Sequence, residues 1–190
     1  MRKIFIVGLL LSPLVFQSQI DSINVLKPAA VSAVTSDDRS PFAFTNLDAD
    51  ELNARDAGQD LPFLLRLTPS VVITSDAGNG IGYTGMRIRG SDASRINVTI
   101  NGVPLNDSES QNVYWVDLPD LGASVSGLQI QRGVGTSTVG PGAFGGSVAV
   151  NTLGDIVKPN VKAVLGMGSF NSNRQSVSWN TGMLGDGISF

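Results

Sequence analysis

No cysteine and no histidine occur in this chain of 190 residues. The first absence removes disulfides, zinc–thiolate centres and cysteine nucleophiles. The second removes a Ser-His-Asp triad, an HExxH zinc helix and any histidine general base. Carboxylates are what remains for an enzyme, and no tight carboxylate constellation stands out, so neither a catalytic site nor a metal or cofactor site is expected. Charge is also scarce. Charged residues make up 15% of the chain, the net charge is −3, and the 13 Lys and Arg are scattered without a basic run. That balance argues against a nucleic-acid partner. Beyond Phe16 no long apolar run occurs, so no transmembrane helix is expected in the mature chain. Weakly alternating strands can still enter a membrane as part of a β-barrel.

What is abundant is glycine, at 22 residues. Gly-rich, charge-poor sequence with short apolar runs reads as β structure with many turns. The N-terminus has a different texture. Met1-Arg2-Lys3 is basic, Ile4 to Phe16 is apolar except for Gly8, Ser12 and Pro13, and polar Gln17-Ser18-Gln19 follows. This is the order of a secretory signal peptide, expected over residues 1–18 with cleavage between Gln17 and Ile20. The run is shorter than the ~20 residues a spanning helix needs. Residues 19–40 sustain no helical or strand period and read as an extended, mobile segment. Within it Leu26, Lys27, Pro28, Ala29, Ala30, Val31, Ser32 and Ala33 form a short apolar patch in polar surroundings. Such a patch can add as a strand to a partner's sheet edge, or serve simply as a linker.

From Pro41 the sequence is punctuated like a small α+β domain. Asp48 with Glu51 three positions on predicts a capped short helix through about Ala54. Asp60 is expected to cap a second helix, with Pro62 in its first turn and Leu61, Leu64, Leu65 and Thr68 at helical spacing. Pro69 ends that helix. Val71-Val72-Ile73 reads as a strand. Gly78-Asn79-Gly80-Ile81-Gly82 superficially matches a dinucleotide loop, but its spacing is G-x-G-x-G and a strand-like segment follows, so a surface loop is expected. Met86 to Arg89 alternates, which would put Arg87 and Arg89 on one face, with a turn at Ser91 to Ser94. Ile96 to Ile100 alternates cleanly into Asn101-Gly102, the strongest short turn signal available. Pro104 must then sit where no ladder donor is needed. Trp115 to Leu121 predicts a short helix interrupted by Pro119. Strands follow at Leu128 to Gln131 and Ser147 to Asn151. The glycines from Gly133 to Gly146 imply tight turns and close backbone approach.

After Gly154-Asp155 two strand-length segments, Val161 to Phe170 and Gln175 to Gly182, are separated by Asn171-Ser172-Asn173. Lys162, Val164, Gly166 and Gly168 would share one face of the first, and Ala163, Leu165, Met167 and Ser169 the other. Trp179 and Phe170 are expected near strand ends or on an exposed face. A third strand begins near Phe190. Unpaired edges of such strands are a liability in water and not viable in lipid.

Four ordered blocks resemble the plug domain of a TonB-dependent outer-membrane receptor. They are Met86-Arg87-Ile88-Arg89-Gly90, Ile100-Asn101-Gly102-Val103-Pro104, Ile130-Gln131-Arg132-Gly133, and Ser137, Gly140 and Gly145-Gly146 before Asn151. The resemblance covers roughly Pro41 to Thr152. Three positions depart from the family pattern: Asn101 stands for Asp, Gln131 for Glu and Val134 for Pro. Gln131 removes a charge that would pair with plug arginines. The resemblance implies a plug at 41–153 with a mixed β-sheet and short helices. After it would come the first strands, at 154–190, of an incomplete antiparallel transmembrane β-barrel of about 22 strands when complete. It implies a TonB box at Leu26–Ala33 and the TonB energy-coupling protein of the inner membrane as partner. It further implies a location in the outer membrane and gated uptake of an unidentified scarce nutrient. Arg87, Arg89 and Arg132 would hydrogen-bond within the plug or to the barrel wall. Loops Ser75 to Tyr83 and Asn106 to Tyr114 would be candidates for substrate contact. A free-standing secreted plug-like module and a secreted carboxylate enzyme are the competing readings. The strand-like tail after Val161 disfavours the module, and the missing histidine disfavours the enzyme.

Overall fold

The computed structural model describes residues 41–135, 142–152 and 159–182. The expected signal segment, the patch Leu26–Ala33 and the motif residues Ser137 and Gly140 lie outside them. The central sheet has five strands in the order β1 (Ala43–Asp48), β6 (Gly127–Arg132), β7 (Gly146–Asn151), β4 (Ile96–Ile100), β5 (Val103–Pro104). β4 and β7 run parallel, with Ile96 opposite Gly146 and Ile100 opposite Val150. All other neighbours are antiparallel. A separate two-stranded sheet is formed by β2 (Val71–Ser75) and β3 (Thr84–Ile88). The mixed sheet and short helices are those of the expected α+β class.

Alternation explains the core. Ile96 and Val98 of β4, Leu128 and Ile130 of β6, and Val148 and Val150 of β7 are buried in one apolar cluster. Leu52, Leu61, Leu64, Leu65, Met86, Ile88 and Trp115 complete it from outside the sheet. Fully burying such a side chain contributes about 1.5–3 kcal/mol relative to exposure. The alternate residues would ordinarily face water. Here Asn97, Thr99, Gln129, Gln131 and Ser147 are buried as well. They form an uncharged polar layer in which Gln129 Nε2 donates to Asn46 Oδ1 at 2.7 Å and Ser147 Oγ donates to Gln131 Oε1 at 3.3 Å. Gln131 is only 2% exposed. A carboxylate there would be costly to desolvate, so the neutral amide suits the site.

Helix α1 (Ala49–Arg55) starts where expected, with Glu51 N–H donating to Asp48 Oδ1 at 2.8 Å. The box is half made, because the Glu51 carboxylate lies 4.0 Å from Arg55 one turn on. Helix α2 is a single turn, Leu61–Leu64, followed by tight turns through Thr68. Asp60 makes no side-chain cap there. It is buried, and its carboxylate instead accepts from the Thr84 hydroxyl at 2.8 Å. The expected helix across Pro119 is two 3₁₀ turns, Trp115–Asp117 and Leu121–Ser124. Proline removes the donor that would join them. Last come β8 (Asn160–Met167) and β9 (Asn173–Asn180), an antiparallel hairpin paired along its whole length.

Candidate functional site

The motif residues gather at the two ends of the parallel pair β4–β7. At the end where these strands begin, β3 leaves the sheet through a two-residue turn. Ser91 N–H donates to Ile88 O at 2.9 Å across Arg89 (φ 51°) and Gly90 (φ 79°). Positive φ at both central residues is the type I′ pattern. Arg89 has therefore left the strand and does not share a face with Arg87. The turn lies here and not at Ser91 to Ser94, where Ala93–Arg95 forms a 3₁₀ turn. Arg87 remains in β3 and pairs with Asp92 at 3.1 Å in an exposed position.

The guanidinium of Arg89 lies over Gly133, whose φ is 89°. A methyl group at Gly133 would stand 2.7 Å from Arg89 Nη1. Gly133 N–H donates to Gly145 O at 2.8 Å, and Gly145 N–H to Arg95 O at 2.9 Å. A side chain at Gly145 would collide with Ser91. Arg132 Nη2 donates to Phe44 O at 3.3 Å, while its Nε is buried without a partner among the described residues. Arg87, Arg89, Arg95 and Arg132 thus all belong to segments that meet at this end of the sheet, and the Arg87–Asp92 pair is their one ion pair among the described residues. Guanidinium groups with spare N–H donors suit carboxylates.

At the opposite end Asn101 (φ 50°) and Gly102 (φ 83°) form the expected hairpin turn, with Ile100 opposite Val103. The Asn101 side chain also clamps the exit of β7. Its Nδ2 donates to Thr152 Oγ1 at 2.7 Å and its Oδ1 accepts from Thr152 N–H at 2.9 Å. The amide supplies both the donor and the acceptor that this clamp uses. Asn151 O accepts from Ser126 N–H at 2.7 Å. Pro104 lies in the edge strand β5, where no further ladder donor is needed.

Two loops present side chains to solvent. In the first, Ser75 to Tyr83, Asp76 N–H donates to Tyr83 O at 3.1 Å, and Ile81 and Tyr83 are exposed. β3 follows it directly, so no helix N-terminus is available for a pyrophosphate. The second, Asn106 to Tyr114, is more tightly bound. Asn106 imitates a strand residue: it accepts from Val98 N–H at 2.8 Å and donates to Ile96 O at 2.9 Å. Sequence reasoning missed it, and its only signal was an Asn closely following the proline of an edge strand.

Asp107 accepts from Ser110 N–H at 2.7 Å, Ser110 Oγ at 2.9 Å and Glu109 N–H at 3.1 Å. These bonds, the Ser110 amide first, hold its carboxyl below the ordinary value of 3.8. A depressed folded pKa means that the carboxylate supports the loop above the unfolded pKa. That support is lost as pH falls through the folded value. The Ser110 amide proton shift is expected to titrate with its midpoint below 3.8. A midpoint at or above the ordinary value contradicts this.

The hairpin β8–β9 is two-faced. Val161, Leu165, Met167, Val177 and Trp179 point outward and are exposed. Lys162, Val164, Arg174, Ser176 and Ser178 line a cavity of about 420 Å³ shared with Asn53, Asp56, Asp120 and Ser124. Among the described residues no helix is long and apolar enough to cross a membrane, which says nothing of strands. No group of three or more Asp and Glu among them could hold a metal ion.

The family model of the TonB-dependent receptor plug domain matches residues 36–147. Solved structures match in fold. The ferric yersiniabactin uptake receptor FyuA from Yersinia pestis is 20% identical with a TM-score of 0.58, over 77% of this chain and 23% of its own. FpvA of P. aeruginosa, solved with heterologous pyoverdines, is 15% identical with a TM-score of 0.65, over 82% and 20%. The Serratia marcescens hemophore receptor HasR, solved with its hemophore HasA and heme, is 19% identical with a TM-score of 0.56, over 75% and 22%. This chain therefore spans between a fifth and a quarter of the length of these three receptors. No curated protein sequence matches it.

Proposed function

The chain belongs to the TonB-dependent receptor plug domain family, and from that premise we propose that it is the gate of an outer-membrane active transporter. The family comprises transporters and receptors, not enzymes. In this reading residues 41–153 are the plug, and 154–190 begin the surrounding barrel. Residues 1–18 direct export, and Leu26–Ala33 is the peptide that the TonB energy-coupling protein grips from the periplasmic side. The observation that carries the reading is the union of a plug fold with a hairpin that is apolar outward and polar toward the plug. A strand pair with that alternation suits a barrel wall between lipid and a hydrated lumen. A free-standing secreted module would have no use for it.

Roles follow from the geometry. The arginine end of the sheet, with Arg87, Arg89 and Arg132, would hold carboxylates of the barrel wall. The glycines and Asn101 fix the turns that bring those groups together. The exposed loops at Ser75 to Tyr83 and Asn106 to Tyr114 would contact the nutrient. The relatives named above are described with ferric yersiniabactin, with iron and pyoverdine, or with heme. A chelated metal is therefore the first probe to try. The test uses the complete receptor that carries this chain, expressed in cells given radioiron as ferric siderophores or as heme. Deleting Leu26 to Ala33 is expected to abolish energy-dependent uptake and to leave surface binding intact. Unchanged uptake after the deletion would refute the coupling role of this segment. Loss of both uptake and binding would place its role in export or folding instead.

A further inference from the structure

One ion cluster ties the hairpin to the rest of the described chain. Arg174 stands on the inward face of β9. Its Nη2 donates to Asp56 Oδ2 at 2.8 Å, and its Nε donates to Asp120 Oδ2 at 3.2 Å. Nη2 also forms an ion pair with Asp120 Oδ1 at 2.5 Å. The side chains of Asp56 and Arg174 are 6% and 17% exposed. The other Asp56 oxygen accepts from Gly58 N–H at 2.9 Å, so both oxygens of this buried carboxylate are engaged.

The surroundings fit the guanidinium. Gly58 has φ +79°, and a methyl there would stand 3.0 Å from Arg174 Cδ, so the glycine makes both the turn and the room for the arginine stem. Asp120 is held in the left-handed region at φ 57°, which Asp and Asn tolerate better than most residues. Lys162 Nζ donates to Asn53 Oδ1 at 2.5 Å and forms a second strut from β8 to α1. The remaining inward residues of the hairpin, Val164, Gly166, Ser176 and Ser178, are neutral. Among the described residues no other ion pair joins the hairpin to the sheet domain.

Buried ion pairs add little net stability, because desolvation offsets attraction. Removing one partner is costly, because a buried charge is left uncompensated. Such a contact is therefore either fully made or broken, which suits a catch better than a glue. We infer that Arg174 is a latch, one guanidinium closed over two carboxylates, that fixes α1 and the turn Leu121–Ser124 against the hairpin. It sets where the domain first parts from the wall. The gating consequence rests on the hairpin being barrel wall, but the latch itself is testable without transport.

The chain lacks cysteine, so Ser176→Cys supplies a single thiol on a half-buried inward position of β9. Maleimide labelling of the full chain in detergent micelles then reads opening of the cavity. Arg174→Gln is expected to speed labelling about tenfold by raising the open population. Arg174→Lys keeps the charge but loses the fork, and about threefold is expected. Asp120→Asn suits the left-handed backbone and leaves the Asp56 contact, and about threefold is again expected. Circular dichroism identifies the variants that fold. If Arg174→Gln does not fold, Asp120→Asn and Asp56→Asn carry the test. Unchanged labelling in every folded variant, or equal acceleration by Asp117→Asn outside the cluster, overturns the latch. Accelerated labelling beside unchanged uptake after deletion of Leu26 to Ala33 would overturn the coupling role of that segment and leave the latch standing.

Discussion

The Gly146→Val chain is expected to lose about 3–4 kcal/mol of folding free energy, near the top of what single substitutions cost. Gly146 opens β7 opposite Arg132 of β6. It is also where the small sheet meets the large one, because Ile88 at the end of β3 packs directly on it. A side chain at Gly146 would collide with the carbonyl oxygen of Gln131, and its Cβ would stand 3.2 and 3.3 Å from Ile88 Cδ1 and Cγ2. The two obstacles differ in kind. The Ile88 carbons end a side chain that can shift by tenths of an ångström. The Gln131 carbonyl is backbone within a strand paired on both sides, and it cannot retreat without opening the β6–β7 ladder. The backbone collision should therefore dominate.

The measurement is urea unfolding followed by Trp115, which is buried in the core, in a Trp179→Phe background that removes the only other tryptophan. With a slope of about 2 kcal/mol per molar urea, the midpoint should fall by roughly 1.5–2 M. A double-mutant cycle with Ile88→Ala apportions the cause. Coupling below about 1 kcal/mol is expected if the carbonyl is the main obstacle. Coupling equal to the whole loss would put the obstacle at Ile88 and defeat the explanation.

Signals confined to a few adjacent residues were legible in the sequence. Asn101-Gly102 specifies its own turn by backbone preference, and Ile96 to Ile100 declares its buried face by alternation. Asp48 with Glu51 marks the start of α1. The resemblance of four ordered blocks to one family supplied the fold as that family's fold. Features set by tertiary context were not legible. Asp60 had the position of a cap, but the Thr84 hydroxyl took its carboxylate. Arg89 read as the last residue of an alternating strand, yet the turn at Arg89-Gly90 took it out of the strand. The burial of Asn97, Thr99, Gln129, Gln131 and Ser147 was not legible, because alternation reports polarity and not coverage. The Arg174 cluster joins residues 54 and 118 positions apart and leaves no local trace. Gln131, first a departure from the family pattern, becomes intelligible only once its burial is known.

Arginine on the outer face of the hairpin should act with opposite sign in water and in lipid. Val177 lies mid-strand on β9 opposite Ala163, points outward and is 79% exposed. In water an exposed valine contributes little, so Val177→Arg should change stability by no more than about 0.5 kcal/mol and should improve solubility. In a bilayer the same position meets hydrocarbon. A guanidinium near the midplane then costs about 2–4 kcal/mol, falling to about 0–1 near an interface. That cost is roughly 30- to several-hundred-fold in the folded, inserted population. Ser178→Arg, one residue on, points inward toward the cavity opposite Lys162, and should cost no more than about 1 kcal/mol in either medium, the scale of a like-charge cross-strand pair. Urea unfolding of the complete receptor from lipid vesicles, set beside the 190-residue chain in buffer, makes the comparison. A large loss in vesicles with Val177→Arg, none in buffer and little with Ser178→Arg is what a barrel wall requires. Equal small effects of both substitutions in both media are what a free-standing module requires. The neighbouring positions differ by one step of strand alternation, so the contrast between them measures which face the hairpin turns to lipid.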